Sequence, residues 1–501
     1  MAESGIGYFG DERLRKNGDL ILQRVMERQA VCIRKLGDDR REQVKLRRFL
    51  SNEAVTVAEM VAHRAMFVAE AARGRHVLAI QDTSEINYQA QSGRKRRLGT
   101  VGNGKDVGLF VHPVLGVDAR SGECLGLIDA QVWRRTKGKA KDYKRLPIEQ
   151  KESYRWLRGG NQAKAVLAEA LMVTILDDRE GDIYEKWARL PDAHTHLLTR
   201  ACRDRRLADG GKLFSTLADF PQAHRYEIEV SERPGKRSAR RACLAVRFGT
   251  VRIRRSGNCS DRAAPAEIEL SAIEVRELAP PPGEKPVLWR LLTTHAVETV
   301  ARALGVIGWY CQRWNIEQLF RTVKRQGLGI EQSVIEDGAA LEKLAVIALI
   351  VATMTMQLVL ARAAACRNGA SNGSPGDDSL CANDSPAAAT VGASDPSVNP
   401  APAINHDLPA NLAPPARRVF DPEQIKVLHA LQKKLQGRTR KQQNPYPSDS
   451  LPWAAWTIAR LGGWTGYDSD KSSGPITMRD GLQRFNAIVD GYELAKNVCP
   501  S

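Results

Sequence analysis

The sequence predicts an α/β fold in which a mixed β-sheet is flanked by helices, with further helices at both ends of the chain. Two short apolar runs, residues 76–82 and 173–178, each end in aspartate and are typical of buried strands. Residues 109–117 and 124–133 are joined by a tight turn, which indicates neighbouring antiparallel strands. Helical patterns are predicted between and after these strands, at residues 149–156, 163–172 and 309–326.

The first 74 residues are dense in charge and are predicted to form a helical domain. Asn52 is a plausible helix cap, and Thr56 with Glu59 forms a capping-box pattern for the helix that follows. A solvated helical bundle would account for the same pattern.

A larger domain is predicted over residues 75–362, with a β-rich insertion at about 190–290. Alternating apolar and polar residues predict the strands of this insertion, at residues 226–230, 242–248 and 268–275. Residues 344–361 carry no charge, and their number reaches the threshold for a membrane span. Because polar Thr353, Thr355 and Gln357 interrupt this run, we predict a buried helix beneath the sheet and no membrane partner.

Composition changes sharply at residues 363–417, which are rich in alanine, serine, asparagine and proline and contain few large apolar residues. Such a segment cannot bury enough apolar surface to offset chain ordering, which predicts a flexible linker. A helical domain is predicted over residues 418–501. Asp421 and Pro422 are a cap and a first-turn proline, and they open a helix that runs to about Leu435.

The chain has 501 residues, with 75 lysines and arginines against 58 acidic residues, and a net charge of +17. An excess of this size favours a polyanionic partner and makes binding depend on salt. Nine cysteines form no zinc-type spacing, and the N-terminus lacks the basic and apolar regions of a signal peptide. We therefore expect a cytoplasmic protein with reduced thiols.

Four residues in the helical pattern at 309–326 carry the most information: Tyr310, Arg313, Glu317 and Lys324. In one continuous helix, offsets of 3, 7 and 14 from Tyr310 place the four side chains within roughly 60° of one another. A carboxylate among groups that bind phosphate is what metal-dependent phosphoryl transfer requires. The alternative is an ordinary i,i+4 pair of Arg313 and Glu317 on a solvated face.

This spacing resembles the Y-R-E-K signature of cut-and-paste transposases of bacterial insertion sequences. In that family the glutamate completes a D-D-E triad on a ribonuclease-H-like fold. Asp82, followed by Thr83, is similar to the first family segment, D-T. Residues 178–183 resemble the family's D-R-E-x-D-I segment, which makes Asp178 rather than Asp177 the second aspartate.

The resemblance implies roles for particular residues. Asp82, Asp178 and Glu317 would be catalytic and would hold two Mg²⁺ or Mn²⁺ ions. Tyr310, Arg313 and Lys324 would grip phosphates of the DNA. Two further residues are predicted to contact DNA: Trp289, which would stack on a base extruded during hairpin formation, and Arg200, in a basic segment at 200–206. A second basic segment, 233–241, would also line the DNA path. For Trp289, a place in the core is the alternative.

The resemblance also implies partners. These are double-stranded DNA, both the inverted-repeat ends and the target, and a second protomer in a synaptic complex, paired through the C-terminal domain. The N-terminal domain would recognise the ends, and the protein would be associated with the bacterial nucleoid. Two alternatives stay open: a catalytically silent DNA-binding repressor derived from a transposase, and a metal-dependent nuclease that cuts without joining.

Overall fold

The computed structural model describes residues 5–135, 143, 146–233, 235, 237–257, 259, 261–324, 327–370, 413–439, 442–467 and 473–498. Most of the predicted linker, residues 371–412, lies outside the described part of the chain. The predicted domain boundaries therefore remain predictions there.

One mixed sheet dominates the described residues. Its eleven strands are β1 (His76–Gln81), β2 (Ser84–Asn87), β3 (Gly99–Val101), β4 (Asp106–Asp118), β5 (Cys124–Trp133), β6 (Met172–Asp177), β7 (Thr195–Arg200), β8 (Gln222–Val230), β9 (Arg240–Arg254), β10 (Glu267–Glu277) and β11 (Leu288–Thr293). All the strands predicted from the sequence are present.

The first half of the sheet has the strand order β5–β4–β1–β6–β7. Strand β4 is antiparallel to both β5 and β1, whereas β1, β6 and β7 run parallel to one another. Three antiparallel strands followed by two parallel ones are the ribonuclease-H-like arrangement, so the predicted fold class is confirmed. Strands β11, β10, β9 and β8 continue the same sheet beyond β7 and are antiparallel throughout.

Helices cover the sheet and form both ends of the described chain. They are α1 (Glu12–Arg28), α2 (Ile33–Leu36), α3 (Arg40–Ser51), α4 (Val57–Ala72), α5 (Tyr154–Val166), α6 (Tyr184–Arg189), α7 (Leu213–Asp219), α8 (Val300–Cys311), α9 (Trp314–Val323), α10 (Gly338–Ala370), α11 (Pro422–Leu435), α12 (Leu451–Leu461) and α13 (Pro475–Val498). Helix α11 begins and ends where predicted, with a complete capping box between Asp421 and Gln424.

The prediction of two helices between β5 and β6 is wrong. A 3₁₀ turn occupies Ile148–Gln150, and the single helix α5 then runs through Gly159 and Gly160. These glycines allow close packing, since a Cβ on Gly159 would lie 2.5 Å from Gln81 and one on Gly160 would lie 2.5 Å from Leu190. Packing against the sheet therefore outweighs the weak helix propensity of glycine.

Of the predicted caps near residue 52, Asn52 is found at the C-terminus of α3, and its side chain accepts a bond from the backbone of Ala54. The predicted capping box of the next helix is only half formed. Thr56 does cap α4 by accepting from Glu59 N at 3.2 Å. The Glu59 carboxylate turns away from the cap, however, and accepts a bond from Tyr8 N at 2.8 Å. A contact distant in sequence has replaced the local box.

Helix α10 is the central support of the molecule. Its apolar stretch, Gly338–Arg362, is long enough to cross a membrane, but 94% of an 18-residue window within it is buried inside the protein. It packs beneath β5, where Gln357 donates to the carbonyl of Leu125 at 3.1 Å, so the predicted buried helix is confirmed. The N-terminal helix α1 and the C-terminal helices α12 and α13 also pack on α10. Asn486 of α13 bonds the carbonyl of Glu27 at 3.1 Å, which joins the two ends of the chain.

Substituting Leu349, which is 0% exposed within α10, tests this supporting role. Leu349→Ala is expected to lower the free energy of unfolding by about 2–5 kcal/mol, because it leaves a cavity in close-packed surroundings. Leu494→Ala is the matched control, since Leu494 lies on helix α13 and is 65% exposed. Urea denaturation followed by circular dichroism measures both. Equal losses for the two variants would contradict the role given to α10.

Candidate active site

Two of the predicted acids lie side by side at one edge of the sheet. Strands β1 and β6 are parallel and pair Ile80 with Leu176, so Asp82 and Asp178 follow the strands at equivalent positions. Burial raises the pKa of Asp82 to about 7, and the charges of Asp178 and Glu317 contribute to the rise. Asp82 is thus within electrostatic reach of both other acids.

The predicted continuous helix at 309–326 is wrong. Helix α8 ends at Cys311 and α9 begins at Trp314. The bonds across this break are of the tight i→i−3 kind, from Arg313 N to Tyr310 O at 3.1 Å and from Ile316 N to Arg313 O at 3.2 Å. Lys324 lies beyond the end of α9, with a ψ of −140° that is not helical. Tyr310, Arg313 and Glu317 still face one region because the backbone at the break stays right-handed.

Arg313 joins two of the acids. Its guanidinium lies 3.2 Å from Asp82 Oδ2 and also bonds Glu317 Oε1. Its side chain is 17% exposed, like that of Asp82, so this is not a solvated surface pair. The positive charge of Arg313 lowers the pKa of Asp82 and partly offsets the effects of burial and of the neighbouring acids. In this arrangement Arg313 is the counter-cation of the acidic cluster.

The donor set fits hard divalent cations, although the side chains are not arranged as a metal site here. Among the described residues, no three histidine, cysteine or carboxylate side chains form a group that could hold one ion. Carboxylate oxygens are the ligands that Mg²⁺ and Mn²⁺ prefer. Asp82, with its raised pKa, would be relieved of repulsion by a cation. Arg313 would have to release Asp82 and Glu317 first.

A basic cavity of about 1050 Å³ opens beside the acids. Among the described residues of its lining, Glu317 is the one acid and eight are basic: Arg179, Arg200, Arg233, Arg237, Arg240, Lys285, Arg290 and Arg313. Trp289 and Tyr310 also line it, with their ring centroids 6.1 Å apart. Trp289 is only 9% exposed, so it serves the core and the cavity at once.

The basic cavity collects most of the residues that were predicted to contact DNA, but not Lys324. That lysine lines a second cavity, of about 1030 Å³, together with Arg321 and three further acids, Glu85, Asp106 and Glu331. Glu317 lines both cavities and so forms the wall between them.

Several residues of the predicted basic segments are already engaged in ion pairs. Arg205 forms a buried pair with Asp182, and Arg240 is paired with Glu277 and Glu284. These contacts stabilise the insertion, so not every basic residue of the two segments is available to bind DNA.

Residues 111–354 match the family model of the transposase DDE domain. The match includes Asp178 and Glu317 and begins after Asp82. Among solved structures, the chain is similar to the transposase in a cryo-EM structure of a piggyBac synaptic complex with hairpin DNA. That similarity has a TM-score of 0.35 and 9% sequence identity, and it covers 72% of this chain and 67% of the other.

Sequence reasoning missed several residues of the matched region that lie near the acids. Arg179 and Trp314 line the basic cavity. Arg179 directly follows the predicted catalytic residue Asp178, and Trp314 directly follows Arg313. Lys186 is fully buried behind Asp177. The signal for Lys186 was present, because it falls among Ile183, Tyr184 and Trp187 at positions where a short amphipathic helix packs on a sheet.

The pKa of Asp82 predicts how this acid affects folding. The folded carboxyl titrates near 7 and the ordinary value is 3.8, so between these pH values the folded protein binds a proton that the unfolded chain does not. Stability contributed by Asp82 is therefore lost as the pH rises through this window. Asp82→Asn is expected to raise the free energy of unfolding by about 1–3 kcal/mol at pH 8, and by less at pH 5.

Urea denaturation of both proteins in EDTA, at pH 5 and pH 8, measures this difference. The amide oxygen of the substituted side chain could still accept the bond from Thr83 N that Asp82 accepts at 2.7 Å, which keeps the comparison to charge. If the variant is less stable than the native protein at pH 8, the charge of Arg313 fully offsets the cost of burying the Asp82 carboxylate.

Proposed function

We propose that this protein is a DNA transposase that binds the ends of its insertion sequence, cleaves them by metal-dependent phosphoryl transfer and joins them to target DNA. The observation that carries the proposal is that Asp82 lies within electrostatic reach of Asp178 and Glu317, and that Glu317 lines a cavity with eight basic side chains among the described residues. Transposases catalyse phosphoryl transfer, and the DDE domain agrees with this chemistry. A cavity of this charge suits a polyanion.

Asp82, Asp178 and Glu317 would hold Mg²⁺ or Mn²⁺, two ions in each site. When bound, such ions make a water or a 3′-hydroxyl more nucleophilic and stabilise the leaving oxygen. Arg313 would move from Asp82 and Glu317 to a phosphate as DNA enters, since a guanidinium bonds either anion well.

The remaining cavity residues would place the DNA. Tyr310 and Arg313 would bind phosphates beside the scissile bond, with Arg200 next to them and Lys324 approaching from the far side of Glu317. Trp289 would stack on a base extruded as the freed 3′-hydroxyl attacks the opposite strand and forms a hairpin. An aromatic ring bordered by cations is suited to an unpaired nucleotide.

The ends of the chain would supply recognition and pairing. The N-terminal helices α1 to α4 would bind the transposon ends, and the C-terminal helices would pair two protomers in a synaptic complex. Helix α13 supports pairing because it exposes Ile476, Ile488, Tyr492, Leu494 and Val498. Such a protein would act in the cytoplasm, on the nucleoid.

A catalytically silent DNA-binding repressor is the second candidate. It would use the same basic cavity but has no need for acids that repel one another beside it. A nuclease that cuts without joining would need the acids and the same ions.

The test separates these functions with linear DNA that carries the native flanks of the coding region. Glu317→Gln is expected to lower cleavage in Mg²⁺ by about 10³-fold or more while DNA binding is retained, because a ligand is lost but the cations remain. Glu298→Gln, at an exposed site away from the cavities, is the control. Binding without cleavage by the native protein would favour the repressor. Cleavage of these ends without joining of pre-cleaved ends would favour the nuclease.

A second prediction concerns Trp289. Stacking on one base contributes about 1–3 kcal/mol, so Trp289→Ala is expected to lower hairpin formation by about tenfold or more after a normal first nick. Trp289→Phe keeps an aromatic face and should retain most of the activity. Denaturing gels resolve nicked and hairpin products. If nicking and hairpin formation fall together with stability in both variants, Trp289 serves only the core.

A further inference from the structure

A chain of buried hydrogen bonds connects the residues that flank the two catalytic aspartates. Gln81 and Thr83 lie on either side of Asp82, and both bond His112 on strand β4. Gln81 also donates to Asp177, the residue before Asp178, at 2.8 Å. We call Thr83, His112, Gln81 and Asp177 the aspartate-flanking chain. It links strands β4, β1 and β6 directly beneath the acids.

The donors in this chain point in one direction. Arg155 Nε donates to the hydroxyl of Thr83 at 2.8 Å, so that hydroxyl is left to donate to His112 Nδ1, also at 2.8 Å. His112 Nε2 then donates to Gln81 Oε1 at 3.1 Å. Burial holds the pKa of His112 well below its ordinary value, so the ring is neutral and carries its proton on Nε2. Each hydrogen bond of the chain therefore has one fixed donor and one fixed acceptor.

A fully buried ion pair ends the chain on one side. Asp177 and Lys186 are both 0% exposed and bond each other. The hydroxyl of Thr199 on β7 donates to Asp177 at 3.0 Å and accepts from Lys186 at 3.0 Å. Burying two charges is costly unless their geometry and hydrogen bonds are nearly complete. These bonds therefore fix β6 against β7 with little freedom.

The other end of the chain returns to the second aspartate. Arg155 on helix α5 donates to Glu180 at 2.6 Å, and the backbone of Glu180 donates to Asp178 Oδ1 at 2.7 Å. Helix α5 can approach because Gly159 has no Cβ to strike Gln81. Asp82 and Asp178 are thus each held by anchored neighbours, through a single network.

We propose that the aspartate-flanking chain, with Arg155 and Lys186 at its ends, sets the separation and orientation of Asp82 and Asp178 for joint binding of divalent ions. Its members are positioning residues, since none of them is a predicted ligand of an ion or of DNA. The inference rests on the proposed function. Two ions in one phosphoryl-transfer site lie about 3.5–4 Å apart, which leaves little tolerance in the carboxylates that share them. Hydrogen bonds behind the ligands hold carboxylates to such a tolerance in metal sites generally.

Thr83 gives the sharpest test, because valine has nearly the same shape but lacks the hydroxyl. Thr83→Val leaves Arg155 Nε and His112 Nδ1 without this partner, whereas Thr83→Ser keeps both bonds. Thr83→Val is expected to weaken Mn²⁺ binding, measured by electron paramagnetic resonance on the protein with its end DNA, by about 10–100-fold. The Mg²⁺ concentration for half-maximal cleavage should rise in parallel, with DNA affinity unchanged. Thr83→Ser should resemble the native protein in all three measurements.

Thr174→Val is the matched control for general loss of a buried hydroxyl. Thr174 lies on the same strand as Asp177, is 0% exposed, and bonds His76 and His295 at 2.8 Å each. It lies three residues before Asp177 on β6, so loss of its hydroxyl should lower stability without changing the metal dependence. Gln81→Met provides a second break in the chain, and should weaken Mn²⁺ binding as Thr83→Val does, should the latter fold poorly.

The outcomes distinguish failure of this inference from failure of the proposed function. If Thr83→Val and Gln81→Met bind Mn²⁺ as tightly as the native protein, or if Thr174→Val weakens binding equally, the inference is wrong while the transposase function stands. If the native protein neither binds Mn²⁺ with DNA nor cleaves it, the proposed function fails and the inference falls with it.

Discussion

The burial of Asp82 beside two other carboxylates, Asp178 and Glu317, is the constraint on which the site depends. Asp82 and Asp178 follow parallel strands at the same edge of the sheet, and Glu317 comes from α9. The raised pKa of Asp82 records the cost of this arrangement. A fold that holds such a cluster must supply positive charge, and here it does so with Arg313 between two acids and a basic cavity beside them.

Much of the fold was predictable because alternation and apolar runs are local signals. They located the strands beneath Asp82 and Asp178 and the long buried helix α10. What failed depended on packing between distant segments. In the sequence, Gly159 and Gly160 suggest the end of a helix. In the structure they lie inside one, because Gln81 and Leu190 leave no room for a Cβ at these positions. Glu59 matches a capping box, yet bonds the backbone of Tyr8.

The spacing of four residues pointed to the candidate site, although the continuous helix inferred from that spacing is wrong. A uniform helix would bring Tyr310, Arg313, Glu317 and Lys324 to one face, but the break after Cys311 divides them and Lys324 falls in another cavity. Periodicity cannot reveal the break, because no proline or glycine marks it. The tight turn instead lets Arg313 reach Asp82, which is 231 residues away in the chain.

Arg313 would also couple the two ligands of the proposed site. Its guanidinium already bonds Asp82 and Glu317, and the same N–H groups cannot bind a phosphate as well. Under the proposed function, Arg313 would uncover Asp82 and Glu317 for a divalent ion when it moves to a phosphate, and it would be free for the phosphate when those acids hold the ion instead. Such coupling is reciprocal by thermodynamic necessity, so each ligand favours the other. Under the proposed function, one side chain would thereby link DNA binding to the assembly of a metal site.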